Sequence, residues 1–219
     1  MFTSDSIATL NSIPSQLSSH DRILMAAKHL FARGGYENTS TVAIAREAGT
    51  SESQLMKHFG SKQGLLSAIL DRGWQRISER IHMAQLNAAT PDKLFGVFEA
   101  VAIELEKDPE LKDLMMLEAR RVRKDNTDVL LSHGFREFSN LIDHLLVEMR
   151  NEGQIRPDVN LEAVRAAYIG MIEGLLRDQV VAKRSAVHAN YGLDDVRKVL
   201  GILIPAFNAG SLQEVKASK

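Results

Sequence analysis

The sequence at residues 49–62, GTSESQLMKHFGSK, reads as a turn, a short helix and the start of another helix. Gly49 suits a tight turn because glycine adopts positive φ at no steric cost. Ser51 and Gln54 have the S-x-x-Q spacing of a capping box, which marks a helix N-terminus. Ser61 is placed to cap the helix that follows. The stretch therefore predicts a short helix whose beginning and end are both specified locally.

A second short helix precedes this turn. Thr39 or Ser40 is placed to cap it, and its apolar residues recur at helical spacing. Two short helices joined by a turn containing glycine are the signature of a helix–turn–helix, in which the second helix enters the major groove of DNA. Such a helix buries only a narrow stripe, which Leu55 and Phe59 supply at i and i+4. The outward face then consists of Glu52, Ser53, Gln54, Met56 and Lys57.

This outward face offers groups for two kinds of DNA contact. The helix N-terminus, Thr41, Lys57 and Lys62 can approach phosphates, and Ser53 and Gln54 can hydrogen-bond to base edges. The alternative is purely structural, because short capped helices with glycine turns also occur in helical proteins that bind no nucleic acid. The formal net charge is −1, so any DNA contact depends on local geometry rather than on overall charge.

The rest of the chain is also helical in pattern, and the predicted fold class is all-α. The 219 residues are 44% apolar and 25% charged, which suits a globular protein with a substantial core. Residues 1–19 are rich in Ser, Thr and Asn and are predicted to form a flexible arm, as is the tail 211–219. Apolar spacing, glycines and prolines predict nine helices. They cover about 20–33, 42–48, 51–58, 62–82, 91–107, 109–124, 127–151, 160–183 and 193–208.

The composition argues against several functions. The chain has no cysteine, which removes disulfides, thiolate catalysis and thiolate zinc sites. The sequence contains no pair of His at i and i+4, the spacing that would indicate a metal site on a helix. It also contains no Ser/His/Asp spacing, glycine-rich phosphate loop or acidic pair that would support catalysis. No apolar run is long enough to span a membrane, and the start lacks the pattern of a secretory signal. We therefore expect a cytoplasmic protein that is not an enzyme, with no metal, no cofactor and no membrane partner.

Residues 22–66, RILMAAKHLFARGGYENTSTVAIAREAGTSESQLMKHFGSKQGLL, closely resemble the DNA-binding domain of TetR-family transcriptional regulators. The matching features are RIL-AA--LF, GY before a Thr/Ser pair, IA--AG, the serine that caps the recognition helix, and HF-SK--LL. The resemblance implies a helix–turn–helix domain at 20–66 and a ligand-binding and dimerisation domain at 67–210. It also implies a ligand-responsive regulator, most often a repressor, that leaves a palindromic DNA operator when a small, largely apolar effector binds.

The resemblance assigns roles to individual residues. It implies phosphate contacts from Thr41, His58 and Lys62, while the aromatic residue after His58 packs inward. At the position of Met56 the family usually carries Tyr, whose hydroxyl binds a phosphate, and the loss of one neutral hydrogen bond costs about 0.5–1.5 kcal/mol. Met56 therefore predicts weaker DNA binding rather than none. Glu52 is repelled by phosphate unless it accepts from a cytosine amino group. The implied contacts at the start of the recognition helix are Glu52, Ser53 and Gln54.

Two stripes in the C-terminal part predict a dimer interface. The helix from residue 161 carries small residues three to four apart, and the last helix carries an apolar stripe. The resemblance implies that both helices pair with their copies, as expected for a homodimer that binds two DNA half-sites. The alternative is that both stripes pack within one subunit. The predicted interface residues are Ala167, Gly170, Met171, Gly174, Val196, Leu200, Leu203 and Phe207.

The resemblance implies an effector cavity among the middle helices. Met and Phe side chains make adaptable linings for an apolar ligand, although at helical spacing they also serve as ordinary core. A basic run at 120–124 can meet an anionic ligand group, or it can simply end a solvated helix. The predicted lining residues are Trp74, Phe95, Phe98, Met115, Met116, Phe135 and Phe138.

Two other functions compete with that of a ligand-responsive regulator. A binding or scaffold protein of the same fold, with weakened DNA contact, is favoured by Met56 and by the nearly neutral charge. A helical enzyme would need an acid–base pair in its pocket, and the sequence offers none.

Overall fold

The computed structural model describes residues 17–85, 90–116, 118, 131–185, 191–203 and 205. These residues form nine helices and no strand, which confirms the predicted all-α class. Of the predicted arm only residues 17–19 are described, and the predicted tail lies outside the described residues. The helices are α1 (Ser19–Gly34), α2 (Thr41–Glu47), α3 (Glu52–Phe59), α4 (Lys62–Gln85), α5 (Thr90–Lys107), α6 (Pro109–Met115), α7 (His133–Asn151), α8 (Leu161–Arg184) and α9 (Leu193–Leu203).

Polar side chains begin most of these helices. The Ser40 hydroxyl accepts from the Ala43 backbone N–H at 3.1 Å, so Ser40 rather than Thr39 caps α2. Thr39 is buried, and its hydroxyl donates a hydrogen bond to the Gly35 carbonyl at 2.8 Å. Ser132 caps α7 and Asn160 caps α8 in the same way as Ser40 caps α2. Each such cap satisfies a backbone donor that the helix cannot satisfy itself.

The chain divides into two compact units at Ile69 and Leu70. The first unit contains α1, α2, α3 and the start of α4. Its core includes the apolar face predicted for α1, where Ile23, Ala27 and Phe31 are fully buried. No helix in the described part of the chain is both long enough and apolar enough to cross a bilayer.

The second unit packs helices α5 to α9 together with most of α4. Within it, α5 packs against α6, α7 and α9, and α7 also packs against α8. Most of the large residues with almost no exposed surface in this unit are aliphatic, so the apolar spacing of the helices produces one continuous core. They include Ile77, Ile81, Leu94, Val97, Leu105, Leu111, Ile142, Leu146 and Leu200.

Three predicted helix bounds are corrected by the structure. Helix α6 ends at Met115 instead of 124, because the chain leaves the helix and Glu118 turns back to the residue that precedes α7. Helix α7 begins at His133 instead of 127, because the Ser132 hydroxyl caps it there. Helix α9 ends at Leu203 instead of 208, because Pro205 has no N–H and disfavours helical conformation in the residue before it. Within these three predicted segments, residues 117, 119–130, 204 and 206–208 lie outside the described residues.

Helices α4 and α7 approach closely at a glycine. The carboxylate of Asp71 accepts a hydrogen bond from the Gly134 N–H at 2.9 Å. A Cβ atom added at Gly134 would lie 2.3 Å from the Trp74 Cβ and 2.8 Å from its Cγ, distances that real Cβ atoms do not reach. Glycine is therefore required at residue 134 by close packing rather than by an unusual backbone conformation.

We expect Gly134→Ala to destabilise the protein by about 1–3 kcal/mol, the usual cost of overpacking a well-filled site. Gly96→Ala is the matched control, because its added Cβ would meet only the Ala84 Cβ at 4.0 Å. Alanine is favoured over glycine inside a helix by about 0.5–1 kcal/mol, so the control should be neutral or stabilising. Urea unfolding of the two variants measures the difference, and equal stabilities would refute the close-packing argument.

Candidate DNA interface and ligand cavity

Helix α3 is held at both ends and along one narrow stripe. The Ser51 hydroxyl accepts from the Gln54 N–H at 3.2 Å, and the Gly60 N–H donates to the Met56 carbonyl at 2.8 Å. Gly60 has φ of 70°, a left-handed conformation that favours glycine at a helix end. Leu55 is completely buried, and Phe59 is half-buried. The residues of the predicted outward face, Glu52, Ser53, Gln54, Met56 and Lys57, are exposed, and so is His58.

Met56 lies on this exposed face, with 42% of its surface accessible. His58 is exposed beside it, and its ring meets the ring of His20 edge to face at a centroid distance of 5.7 Å. The His20 ring in turn stacks on Phe59 at 4.8 Å. The outward side of α3 therefore combines an accessible thioether with groups that can hydrogen-bond, while Phe59 is half-buried against the His20 ring.

The first residues of α2 and α3 are joined by a hydrogen bond. The Thr41 hydroxyl donates to the carboxylate of Glu52. Two residues that were separately predicted to meet DNA thus form a pair, and the Thr41 hydroxyl proton is already used. Thr41 would have to leave Glu52 before it donated to a phosphate. The negative charge also lies at the N-terminus of α3, where the helix dipole stabilises it.

Lys62 is bonded inside the first unit. Its ammonium donates to the backbone carbonyls of Tyr36 at 3.0 Å, Thr39 at 3.1 Å and Glu37 at 3.3 Å. It also lies over the Tyr36 ring, 4.4 Å from the centroid. A lysine has three N–H donors, so these carbonyls account for all of them. In this structure Lys62 clamps the loop between α1 and α2, and the predicted phosphate contact stays a prediction.

Arg22 is a bracing residue whose role the sequence did not reveal. Its Nε donates to the carbonyl of Ala48 at 3.0 Å, at the turn between α2 and α3. Its other nitrogens reach the Leu17 carbonyl at 2.8 Å and the Ser19 hydroxyl at 3.3 Å. Arg22 thus ties the beginning of α1 to the turn. The one sequence signal was its place as the first residue of the stretch that resembles the family.

We expect Lys62→Met to destabilise the protein by about 1–3 kcal/mol, because it leaves three backbone carbonyls without their donor. Lys57→Met is the matched control, since Lys57 is exposed on α3. The control should keep its stability and lose DNA affinity instead. Urea unfolding and DNA titration of both variants separate the two roles. A Lys62→Met variant as stable as the wild type would exclude the clamp.

The second unit contains a small cavity with mainly apolar walls. Five of the seven predicted lining residues line it, namely Trp74, Met115, Met116, Phe135 and Phe138. Phe95 and Phe98 do not line it, and this part of the prediction is corrected. Phe98 is buried elsewhere in the core, and Phe95 lies under the guanidinium of Arg197 at 4.9 Å. The other walls are Val101, Leu105, Glu118, Ile169, Ile172, Glu173 and Leu176.

The aromatic residues nearly close this cavity. Its volume is about 30 Å³, which leaves room for about one water molecule. The Trp74 ring stacks on Phe138 at a centroid distance of 4.7 Å and meets Phe135 edge to face at 5.6 Å. A ligand much larger than water therefore needs more room than the cavity offers in this structure.

Glu118 is the buried polar group of the cavity, with 6% of its surface exposed. Its carboxylate accepts from the Trp74 indole N–H at 2.9 Å, from the Ser132 backbone N–H at 2.8 Å and from the Ser132 hydroxyl. Burial raises the pKa of this carboxyl above its usual value, although the three hydrogen bonds act in the opposite direction. The sequence showed Glu118 only as one acid within a predicted helix, since its partners lie on other elements. The basic run 120–124 lies outside the described residues.

The predicted dimer residues differ in how far they are exposed. Ala167 and Gly170 are exposed on α8, and Leu203 is 41% exposed on α9. Val196 and Leu200 are 3% and 0% exposed, because α9 packs against α5 through this side. They are core residues of the subunit, which corrects the prediction. Met171 and Gly174 are half-buried, Phe207 lies outside the described residues, and the exposed apolar residues that the prediction missed on α9 are Val199 and Ile202.

An exposed, capped second helix in a helix–turn–helix is the element with which proteins of this class enter the major groove of DNA. Residues 23–69 match the family described as bacterial regulatory proteins, tetR family.

Similar proteins agree with this assignment. The HTH-type transcriptional regulator UidR of Escherichia coli is 23% identical over 185 residues, which cover 84% of this chain and 92% of UidR. The HTH-type transcriptional repressor AcnR of Corynebacterium glutamicum is 24% identical over 164 residues, covering 73% and 80% of the two chains. The structure of the transcriptional regulator FadR from Bacillus subtilis in complex with stearoyl-CoA matches this one with a TM-score of 0.73 at 20% identity. The match covers 85% of this chain and 98% of the FadR chain. At this identity the structural likeness shows the fold alone.

Proposed function

We propose that this protein is a homodimeric repressor that leaves its DNA operator when a small, largely apolar molecule enters the cavity of the second unit. The observation that carries the proposal is the span of α4. Lys62, at its first residue, clamps the loop between α1 and α2, and Trp74, on the same helix, forms a wall of the cavity.

The cavity is small, so in the proposed mechanism the entry of a ligand requires a movement of Trp74 on α4. Because Trp74 and Phe138 fill the space that a ligand needs, binding favours conformations in which Trp74 has moved. A ligand shifts the equilibrium only as far as its affinity differs between the two conformations. Derepression follows if the conformation with the open cavity binds DNA more weakly. The coupling is then reciprocal, because bound DNA lowers the affinity for the ligand by the same factor by which the ligand lowers the affinity for DNA.

Selection of duplexes from a random DNA pool, followed by titration at several salt concentrations, tests the proposed function. A repressor dimer should select a palindrome and lose affinity steeply as salt rises, because phosphate contacts release counterions. The competing scaffold function predicts no selected sequence and weak binding. The expected direction of regulation is tested by a reporter placed behind the selected palindrome, which a repressor silences and an activator turns on.

We expect Met56→Tyr to raise DNA affinity about two- to tenfold, the equivalent of one added neutral hydrogen bond to a phosphate. The increase should be similar for different DNA sequences, since phosphates carry no sequence information. Met56→Leu is the matched control that stays apolar and lacks the hydroxyl. Fluorescence anisotropy with the selected duplex measures all three proteins. Weaker binding or an altered base preference in Met56→Tyr would show instead that Met56 contacts the groove directly, for example at a thymine methyl.

The exposed apolar side chains of α9 support the dimer part of the proposal. Ile202 is 72% exposed and has Val199 and Leu203 beside it, while the small residues of α8 leave room for a close helix approach. Apolar patches of this kind on an otherwise polar surface mark interaction sites. Two-fold pairing through this patch, which consists of Val199, Ile202 and Leu203, gives the symmetry that a palindromic operator requires.

We expect Ile202→Glu to raise the dimer dissociation constant about a hundredfold or more, because it places an unpaired charge in an apolar contact. Val147→Glu is the matched control, since Val147 is exposed on α7 and is not part of the patch. Analytical ultracentrifugation measures the dissociation constants. A dimer that tolerates Ile202→Glu as well as Val147→Glu would place the interface elsewhere.

A further inference from the structure

The described walls of the cavity carry charge of one sign. Glu118 and Glu173 are the charged residues among its described lining residues, and no Lys, Arg or His is found among them. Glu118 is buried, and Glu173 on α8 is half-buried. In surroundings of low polarity a charge acts over a longer range than in water, so these carboxylates attract a cation and repel an anion. The charge of the described lining residues therefore favours a ligand with a cationic group.

Glu118 has donors but no cationic partner among its recorded contacts. Its hydrogen bonds come from an indole N–H, a backbone N–H and a hydroxyl, all of them neutral. Burial and the nearby charge of Asp71 raise the pKa of this carboxyl, and a positive group close to it would lower the pKa again. The cavity thus provides a site at which a cation stabilises the ionised form of Glu118.

The apolar walls add a second preference for positive charge. Trp74, Phe135 and Phe138 pack on one another beside the carboxylate. Aromatic faces attract organic cations, most strongly in sites that exclude water, and tryptophan does so best. Since the same rings fill the cavity, a ligand with a flat apolar body can replace their mutual stacking while its charged end lies at the carboxylate.

We propose that the effector is an amphipathic organic cation, whose apolar body takes the place of the Trp74–Phe138 stack and whose ammonium group binds the Glu118 carboxylate. This inference rests on the proposed function, because it takes the cavity to be the effector site. The proposed effector differs in charge from stearoyl-CoA, the ligand in the FadR structure. Glu173 contributes to the preference through its charge on the same cavity.

The single tryptophan of the chain makes the inference directly measurable. Because Trp74 is that residue, its fluorescence reports on the cavity without a label. The probes are 3-phenylpropylammonium, 3-phenylpropan-1-ol and 3-phenylpropionate, which share one apolar body and differ in charge. Titration of the full-length protein in the absence of DNA should show the cation binding about tenfold tighter than the alcohol and the carboxylate binding weakest.

Variants locate the preference at the carboxylates. Glu118→Gln should remove most of the advantage of the cation over the alcohol, and Glu173→Gln should reduce it. Glu162→Gln is the matched control, because Glu162 is an exposed acid on α8 that does not line the cavity. If Glu118→Gln fails to fold after losing its contacts with Trp74 and Ser132, the probe series on the wild type and on Glu173→Gln still decides. Isothermal calorimetry confirms each dissociation constant.

The outcomes separate this inference from the proposed function. Equal or tighter binding of 3-phenylpropionate, binding of none of the probes, or a cation preference unchanged in both Glu118→Gln and Glu173→Gln would overturn the ligand class. Operator release by a neutral or anionic compound alone would also overturn it and would leave the proposed function intact. Cation binding that depends on Glu118 but leaves the affinity for the selected duplex unchanged would support the ligand class and refute ligand-controlled DNA release.

Discussion

The structure depends on one continuous helix, α4, which runs from Lys62 to Gln85 and supplies residues to both the helix–turn–helix and the cavity. Its first residue holds three backbone carbonyls of the loop before α2. Farther along, Trp74 donates to the buried Glu118 and stacks on Phe138. In the proposed mechanism, α4 is the element that couples the contacts at these two places.

The helix–turn–helix was predictable because its determinants are local. Ser51, Gly60 and Leu55 each act within a few residues of their own position, through a cap, a left-handed turn and one buried stripe. Apolar spacing likewise predicted the number and order of the helices. The aromatic and methionine residues of the cavity were mostly predictable too, since a continuous apolar region in a helical unit collects such side chains.

What could not be predicted depends on partners that are distant in sequence. Glu118 looked like an ordinary helical acid, because Trp74 and Ser132 are 44 and 14 residues away. Lys62 looked like a phosphate ligand, because the carbonyls that it binds have no side-chain signature. The apolar stripe of α9 was predicted as a single surface. Only tertiary packing shows that Leu200 faces α5 while Ile202 faces solvent.

The two anchored points of α4 are held by different kinds of interaction. Lys62 makes three hydrogen bonds from a charged donor to backbone carbonyls. Trp74 makes one hydrogen bond to a carboxylate, together with ring contacts worth about 0.5–1.5 kcal/mol. A ligand with its own ring and donor replaces the interactions of Trp74, whereas it offers nothing in place of those of Lys62. In the proposed mechanism α4 therefore moves first at Trp74, and the clamp at Lys62 stays closed and carries the displacement to the loop before α2.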